Sequence, residues 1–279
     1  KPGWWDPTRV LIVTNGSFYD AVDFYLGISD DVPNGNTDVA QVIGKIGKSS
    51  YFKIGVWNTQ QVINMSQAFQ GIQNFNEDIG NWDLQNVTDT SYMFAGASSF
   101  NTNISSWSTN NIVYSQYMFA SATSFNQDLS SWFPLKQSSL QEVSGMFGYT
   151  PFNQYIGNWD MSDVSGASQM FQNAIDFNQY LGDWNLSSLT DAKSMFYDAP
   201  AFNSDIGSWD TSSVITMQTM FKNSVAFNQD IGNWDVSNVT DMKRMFQNAD
   251  AFNQFIGNWD VSNVTDMSGM FMYAINYNQ

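Results

Sequence analysis

Residues 227–251 read FNQDIGNWDVSNVTDMKRMFQNADA, and this 25-residue unit decides the fold because the chain repeats it nine times after its first 50 residues. Tryptophan marks the repeat most clearly, since successive copies are 25 residues apart except for one step of 27. The marked positions are Trp57, Trp82, Trp107, Trp132, Trp159, Trp184, Trp209, Trp234 and Trp259. Self-similarity at a fixed period of this length is typical of proteins that grow by stacking one unit on the next.

Each unit contains two hydrophobic periodicities. Its second half has the apolar spacing of a short helix, with Thr240 at the capping position and Asp241 at the positive end of the helix dipole. In its first half, Trp234 and Val236 alternate as in a short strand. The helix positions that would face inward are Met242, Met245, Phe246 and Ala249. The sequence therefore predicts an α/β solenoid, a right-handed coil of short parallel strands and short helices.

An asparagine follows the aromatic residue that opens each unit, and columns that recur at the repeat period must stack on one another. An amide at the same place in every unit predicts an asparagine ladder, in which each side chain satisfies backbone groups of its neighbour. The Trp, Ile/Leu, Val, Met and Phe columns are predicted to form one continuous core. The ladder positions are Asn76, Asn101, Asn126, Asn153, Asn178, Asn203, Asn228, Asn253 and Asn278.

Composition excludes several classes of function. The net charge of −16 repels phosphate backbones and anionic lipid, so we expect neither nucleic-acid nor membrane-surface binding. The chain has no cysteine and no histidine, which excludes thiol catalysis, Cys-type zinc sites and His-based triads. No apolar run approaches the ~20 residues that span a bilayer. No cofactor is predicted.

Two sets of oxygen-bearing side chains are candidate sites. Asp31, Asn34, Asn36 and Asp38 surround a glycine as in a calcium loop, but their spacing departs from the EF-hand pattern and also suits an ordinary turn. A carboxylate follows the tryptophan of several units, at Asp83, Asp160, Asp210, Asp235 and Asp260. This column could bind a metal or a sugar, although a solvated edge is the simpler interpretation. Because a copied column provides no unique catalytic acid, we expect no enzyme activity.

Asn-X-Ser/Thr triplets are a further candidate feature. In a eukaryotic secreted protein they would accept glycans, and three of them share one column of the repeat. They lie at Asn15, Asn64, Asn86, Asn103, Asn185, Asn238 and Asn263.

The motif F-N-Q-x-I-G-x-W-D-V-S-x-V-T-D-M-x-x-M-F resembles the repeat of BspA-like surface proteins and of mycoplasma surface lipoproteins. The resemblance covers residues 50–279 and implies a leucine-rich-repeat-like solenoid that is displayed at the cell surface and associated with adhesion. Residues 1–49 have no counterpart in the repeat.

The two ends of the chain give alternative predictions. Residues 1–49 are predicted to cap the first unit or to dock onto another subunit, and a strand is expected at residues 9–14. The last residues open a tenth unit without a polar cap, so we expect either that the natural chain continues or that copies stack head to tail into filaments. The predicted function is an extracellular or cell-surface structural and adhesive protein. The alternative is a module that binds a glycan or a protein on a concave face of the solenoid.

Overall fold

The computed structural model describes residues 12–27 and 54–279. The N-terminal segment contributes strand β1 (Ile12–Thr14) and helix α1 (Phe18–Leu26). A 3-10 helix (Ile54–Val56) and strand β2 (Asn58–Gln61) open the repeats. Strands β1 and β2 pair in parallel, with Ile12 opposite Asn58 and Thr14 opposite Gln61. No helix in the described part of the chain is long and apolar enough to cross a membrane.

Residues 12–27 cover one side of the first repeat unit. The side chains of Val13, Phe18 and Val22 are buried in the common core. The Phe18 ring meets Trp82 edge-on at 5.7 Å, and the Tyr19 hydroxyl donates hydrogen bonds to Asn64 Oδ1 (2.9 Å) and to the Ser66 carbonyl (2.8 Å). This segment therefore packs on the first unit of its own chain. The predicted boundary between residues 49 and 50 lies outside the described residues.

The second half of every unit is a series of tandem turns joined to the next unit. In the turns of residues 242–249, the backbone N–H of Met242 donates to the Asp266 carbonyl (2.9 Å), and the N–H of Phe246 donates to Met270 (2.9 Å). The alternate N–H groups bond within the unit, as from Met245 to Met242 (3.1 Å). One isolated parallel bridge per unit runs through the stack: Asn64, Asp89, Tyr114, Glu142, Gly166, Asp191, Thr216, Asp241 and Asp266.

These turns correct the predicted short helices and strands. Arg244 (φ 54°) and Asn248 (φ 56°) have left-handed backbones, which an α-helix does not tolerate. Thr240 donates to the Ile215 carbonyl of the previous unit (3.2 Å) rather than capping a helix, and Asp241 Oδ1 accepts the N–H two residues on (2.9 Å). Beyond β2, the described units contain isolated bridges in place of strands and tandem turns in place of helices. The apolar spacing was misleading because tandem turns also direct every third or fourth side chain inward.

The core is a set of stacked side-chain columns, as predicted. The aromatic ring that opens each unit stacks closely on the phenylalanine six residues before it in most units, as Phe227 does on Phe221 at 3.8 Å. Equivalent rings of neighbouring units also stack, as Phe221 and Phe246 do at 5.8 Å. Trp234 is 3 % exposed, and its indole N–H donates to the carbonyl of Ile206 (3.0 Å). Burial of these large apolar surfaces is the main stabilising contribution to the stack.

The predicted asparagine ladder is present, and its bonds are regular. The Oδ1 of Asn178 accepts the backbone N–H of Asn203 (2.8 Å), and the Oδ1 of Asn203 accepts that of Asn228 (2.8 Å). The same bond joins every pair of neighbours from Asn76 to Asn278. The ladder lies at the surface, since its asparagines are exposed or half-buried. It is therefore not a buried feature of the core.

The unit with the 27-residue step, between Trp132 and Trp159, differs from the others at an insertion that follows Trp132. Phe133 is fully buried, lies at φ 48° and packs edge-on against Trp159 at 4.9 Å. The extra residues then leave the stack, because Leu135 is 61 % exposed. The backbone N–H of Lys136 donates to Asp160 Oδ2 (2.6 Å) and ties this bulge to the next unit. The insertion is thus accommodated locally, without breaking the stack.

Candidate binding surfaces

The aspartates that follow tryptophan close tight turns at the surface. The Oδ1 of Asp235 accepts the backbone N–H of Ser237 (2.9 Å), and the Oδ1 of Asp260 accepts that of Ser262 (3.0 Å). The Ser237 hydroxyl and backbone N–H hold the pKa of Asp235 below its usual value, and Ser262 does the same for the pKa of Asp260. Asp83, Asp160 and Asp210 accept the equivalent N–H. These carboxylates stabilise their own turns.

The position four residues before the tryptophan of each unit also lies in a turn, and these equivalent positions form a second column. In most units its side chain accepts the N–H two residues on, as Asp205 does from Gly207 (3.0 Å) and Asp230 from Gly232 (3.0 Å). Three units carry an aromatic residue in this column instead: Tyr155, Tyr180 and Phe255. Sequence reasoning missed these positions because it followed the constant columns. A comparison of the departures within each column would have found them.

The tandem turns carry most cations of the described residues. Apart from Lys136 in the insertion, these cations are Lys193, Lys222, Lys243 and Arg244. Lys222 lies over the Tyr197 ring at 5.2 Å, and Lys243 pairs with Asp266 at 3.7 Å. Exposed ion pairs of this kind contribute little to stability. Apart from Lys136, the cations of the described residues therefore lie in the tandem turns of three successive units.

The seven glycan-acceptor positions fall into three structural groups. In the shared column the side-chain amide donates to the previous unit, as from Asn86 to the Gln60 carbonyl (2.8 Å); Asn238 and Asn263 make the same bond (2.7 Å each). Asn103 and Asn185 accept a backbone N–H with Oδ1, and both are exposed. The remaining two sit beside helix α1: Asn15 accepts the N–H of Asn64 (3.1 Å), and Asn64 accepts Tyr19. A glycan on the shared column would replace one of the two N–H groups of the amide that bonds to the previous unit.

No metal centre is apparent in the described ranges. The calcium-loop candidates Asp31, Asn34, Asn36 and Asp38 lie outside them. Among residues 12–27 and 54–279, no group of three or more acidic, histidine or cysteine side chains is arranged to hold a metal ion.

Comparison with known families recovers the repeat. Residues 37–151, 134–231 and 202–279 each match the family described as "Mycoplasma protein of unknown function, DUF285". The chain belongs to this family. The three matches overlap and together extend over residues 37–279, so DUF285 includes every tryptophan-marked unit. No curated protein matches the chain, and no solved structure does.

Proposed function

We propose that this DUF285 chain is a structural or adhesive protein of the extracellular space or cell surface, built as a leucine-rich-repeat-like, right-handed solenoid of the BspA-like type. The observation that carries the proposal is the hydrogen-bond network that joins each unit to the next from Met65 to Asn248. It repeats in every unit, and side chains fill the interior along the whole stack. Such a body presents a long polar surface around a filled interior.

The polar surface supports a role outside the cell. Asn, Asp, Ser and Thr side chains engage their own turns or the neighbouring unit, as Asn86 and Thr240 do. The surface is thus rigid, hydrogen-bonding and acidic. A net charge of −16 disfavours anionic partners and keeps separate chains dissolved.

Assembly into filaments is part of the proposal. Each unit presents N–H donors toward its successor and carbonyl acceptors toward its predecessor, so one unit is complementary to another in a head-to-tail sense. Residues 12–27 occupy the predecessor's side of the first unit, where Asn15 and Tyr19 bond to Asn64. A contact between copies on this side would therefore form through β1 and α1. A concave face was expected because a helix is wider than a strand, and the described units contain tandem turns in place of those helices.

Size-exclusion chromatography with negative-stain microscopy tests assembly. We expect concentration-dependent fibres in which the subunit repeat matches the length of one stack. Monodisperse monomers at high concentration would contradict assembly. Protease treatment of intact cells tests display: loss of the protein from cells that keep a cytoplasmic marker supports it, and full protection contradicts it.

A further inference from the structure

We infer that Tyr155 and Tyr180 form a binding platform for an extended, β-linked polysaccharide. The two residues occupy the same turn column in neighbouring units, and they are 43 % and 45 % exposed. The inference names a ligand class for the adhesive surface proposed above. Its biological role rests on the proposed function, whereas binding itself can be measured on the purified chain.

The rings replace side chains that stabilise the turn. Asp205 and Asp230, in the same column, accept the N–H of the glycine two residues on. A tyrosine cannot repeat that bond from its ring, and a ring that stays nearly half exposed gains little from burial. Folding therefore does not explain two aromatic residues here. Exposed aromatic side chains that have no structural role mark binding surfaces.

The glycines hold the rings in place. A Cβ added at Gly182 would lie 2.6–2.8 Å from the outer atoms of the Tyr180 ring, and one at Gly157 would lie 2.8 Å from the Tyr155 ring. Each ring thus packs against its own glycine, while nearly half of the residue stays exposed. A Cβ at Gly157 would also lie 2.5 Å from the Tyr180 carbonyl oxygen, so the backbones of the two units approach closely at the platform. The platform is rigid, which limits the entropy that a ligand loses on binding.

The spacing and the surroundings favour a sugar chain. Phe152 and Phe177 lie three residues before Tyr155 and Tyr180. Their ring centroids are 6.3 Å apart, and this distance measures the spacing of one unit. This is close to the length of one residue in a β-1,4-linked pyranose chain. In such a chain each sugar residue is flipped relative to its neighbour. Because axial C–H groups lie on both faces of the sugar, successive residues can still stack on successive aromatic rings.

Carboxylates lie at both ends of the platform. Along the column, Asp128 precedes Tyr155 and Asp205 follows Tyr180. The Tyr180 hydroxyl donates to Asp183 Oδ1 (3.2 Å). Carboxylate oxygens beside an aromatic face suit the hydroxyl groups at the edge of a sugar. The same carboxylates disfavour a lipid surface. The platform has two rings from one column of neighbouring units, which are too few to form the cage that encloses an organic cation.

Isothermal titration calorimetry on the purified chain tests the platform, with cellohexaose, chitohexaose and the coiled, α-linked maltohexaose as probes. We expect one β-linked probe at least to bind about tenfold more tightly than maltohexaose. The double variant Tyr155→Asp, Tyr180→Asp restores the residue that other units use, so it should fold normally and lose detectable binding. The double variant Tyr155→Phe, Tyr180→Phe keeps the rings and should retain binding within about threefold.

Phe255→Asp is the matched control, since the preceding unit has Asp230 in this column, so Phe255 has no aromatic neighbour there and should contribute nothing to binding. Absence of binding to every probe would overturn the inference, and so would equal binding by the Asp double variant. Binding of hexalysine that is lost in the Asp double variant and in high salt would assign the rings to a cationic ligand and overturn it as well. Each of these failures leaves the fibre and protease experiments on the proposed function unaffected.

Discussion

At the residue scale, the asparagine ladder makes a prediction about single hydrogen bonds. Asn178→Ala removes the acceptor of the Asn203 N–H, and we expect it to cost about 0.5–1.5 kcal/mol of unfolding free energy. Asn178→Asp keeps an acceptor oxygen at the same place and should cost clearly less. Urea unfolding measures the difference, and hydrogen exchange at the Asn203 amide should accelerate only in the alanine variant. Equal losses in the two variants would show that the ladder bond is not the cause.

The turn aspartates make a prediction about pH. Bonds from Ser237 and Ser262 lower the pKa of Asp235 and Asp260 in the folded chain, so folding favours the ionised form. The resulting stabilisation is present above the unfolded pKa of about 3.9 and is lost as pH falls through the lower folded value. We expect a constant urea midpoint from neutral pH to about 5 and a decline below about 4.

The double variant Asp235→Asn, Asp260→Asn is the control for this pH effect. Asn185 occupies the same column and accepts its turn N–H at 3.0 Å, so an amide preserves the turn. The variant should fold and should show a shallower decline in acid. An identical decline would place the titrating groups elsewhere.

The sequence revealed the core residues but not all of their partners. Trp234 was assigned to the core from its column, and it is 3 % exposed. The acceptor of its indole N–H is the carbonyl of Ile206, which lies 28 residues earlier rather than 25. That displacement depends on how far one unit is rotated relative to the next, and a list of equivalent columns does not contain this information. Tyr155 and Tyr180 were missed for a different reason, since they depart from the column pattern.

At the element scale, the tandem turns predict that glycine stabilises certain positions. Arg244 has φ 54°, a conformation that costs a non-glycine residue about 1–2 kcal/mol. Gly145 and Gly269 occupy the same turn position in other units with φ 62° and 66°. Arg244→Gly should therefore raise the free energy of unfolding by about 0.5–1 kcal/mol in urea titrations.

The neighbouring residue is the control for that substitution. Lys243→Gly should lower the free energy of unfolding by about 0.5–1 kcal/mol, because glycine there adds only conformational entropy to the unfolded chain. If the segment were a helix, both substitutions would destabilise it to a similar extent. The helix was predicted because apolar spacing records which side chains face inward and says little about the sign of φ. Asn248, with φ 56°, carried a weak indication, since asparagine tolerates this region better than most residues.

At the scale of the whole molecule, stacking predicts that units are exchangeable. Deletion of residues 203–227 joins Phe202 to Asn228 and removes one period, so Asn178 can bond to Asn228 in place of Asn203. We expect a folded chain with a smaller urea slope, because that slope scales with the surface exposed on unfolding. Deletion of residues 203–215 removes half a period and places every later column out of register. This chain should lose cooperative unfolding beyond the junction, and cooperative unfolding of both deletion variants alike would contradict a stack held by equivalent contacts between neighbours.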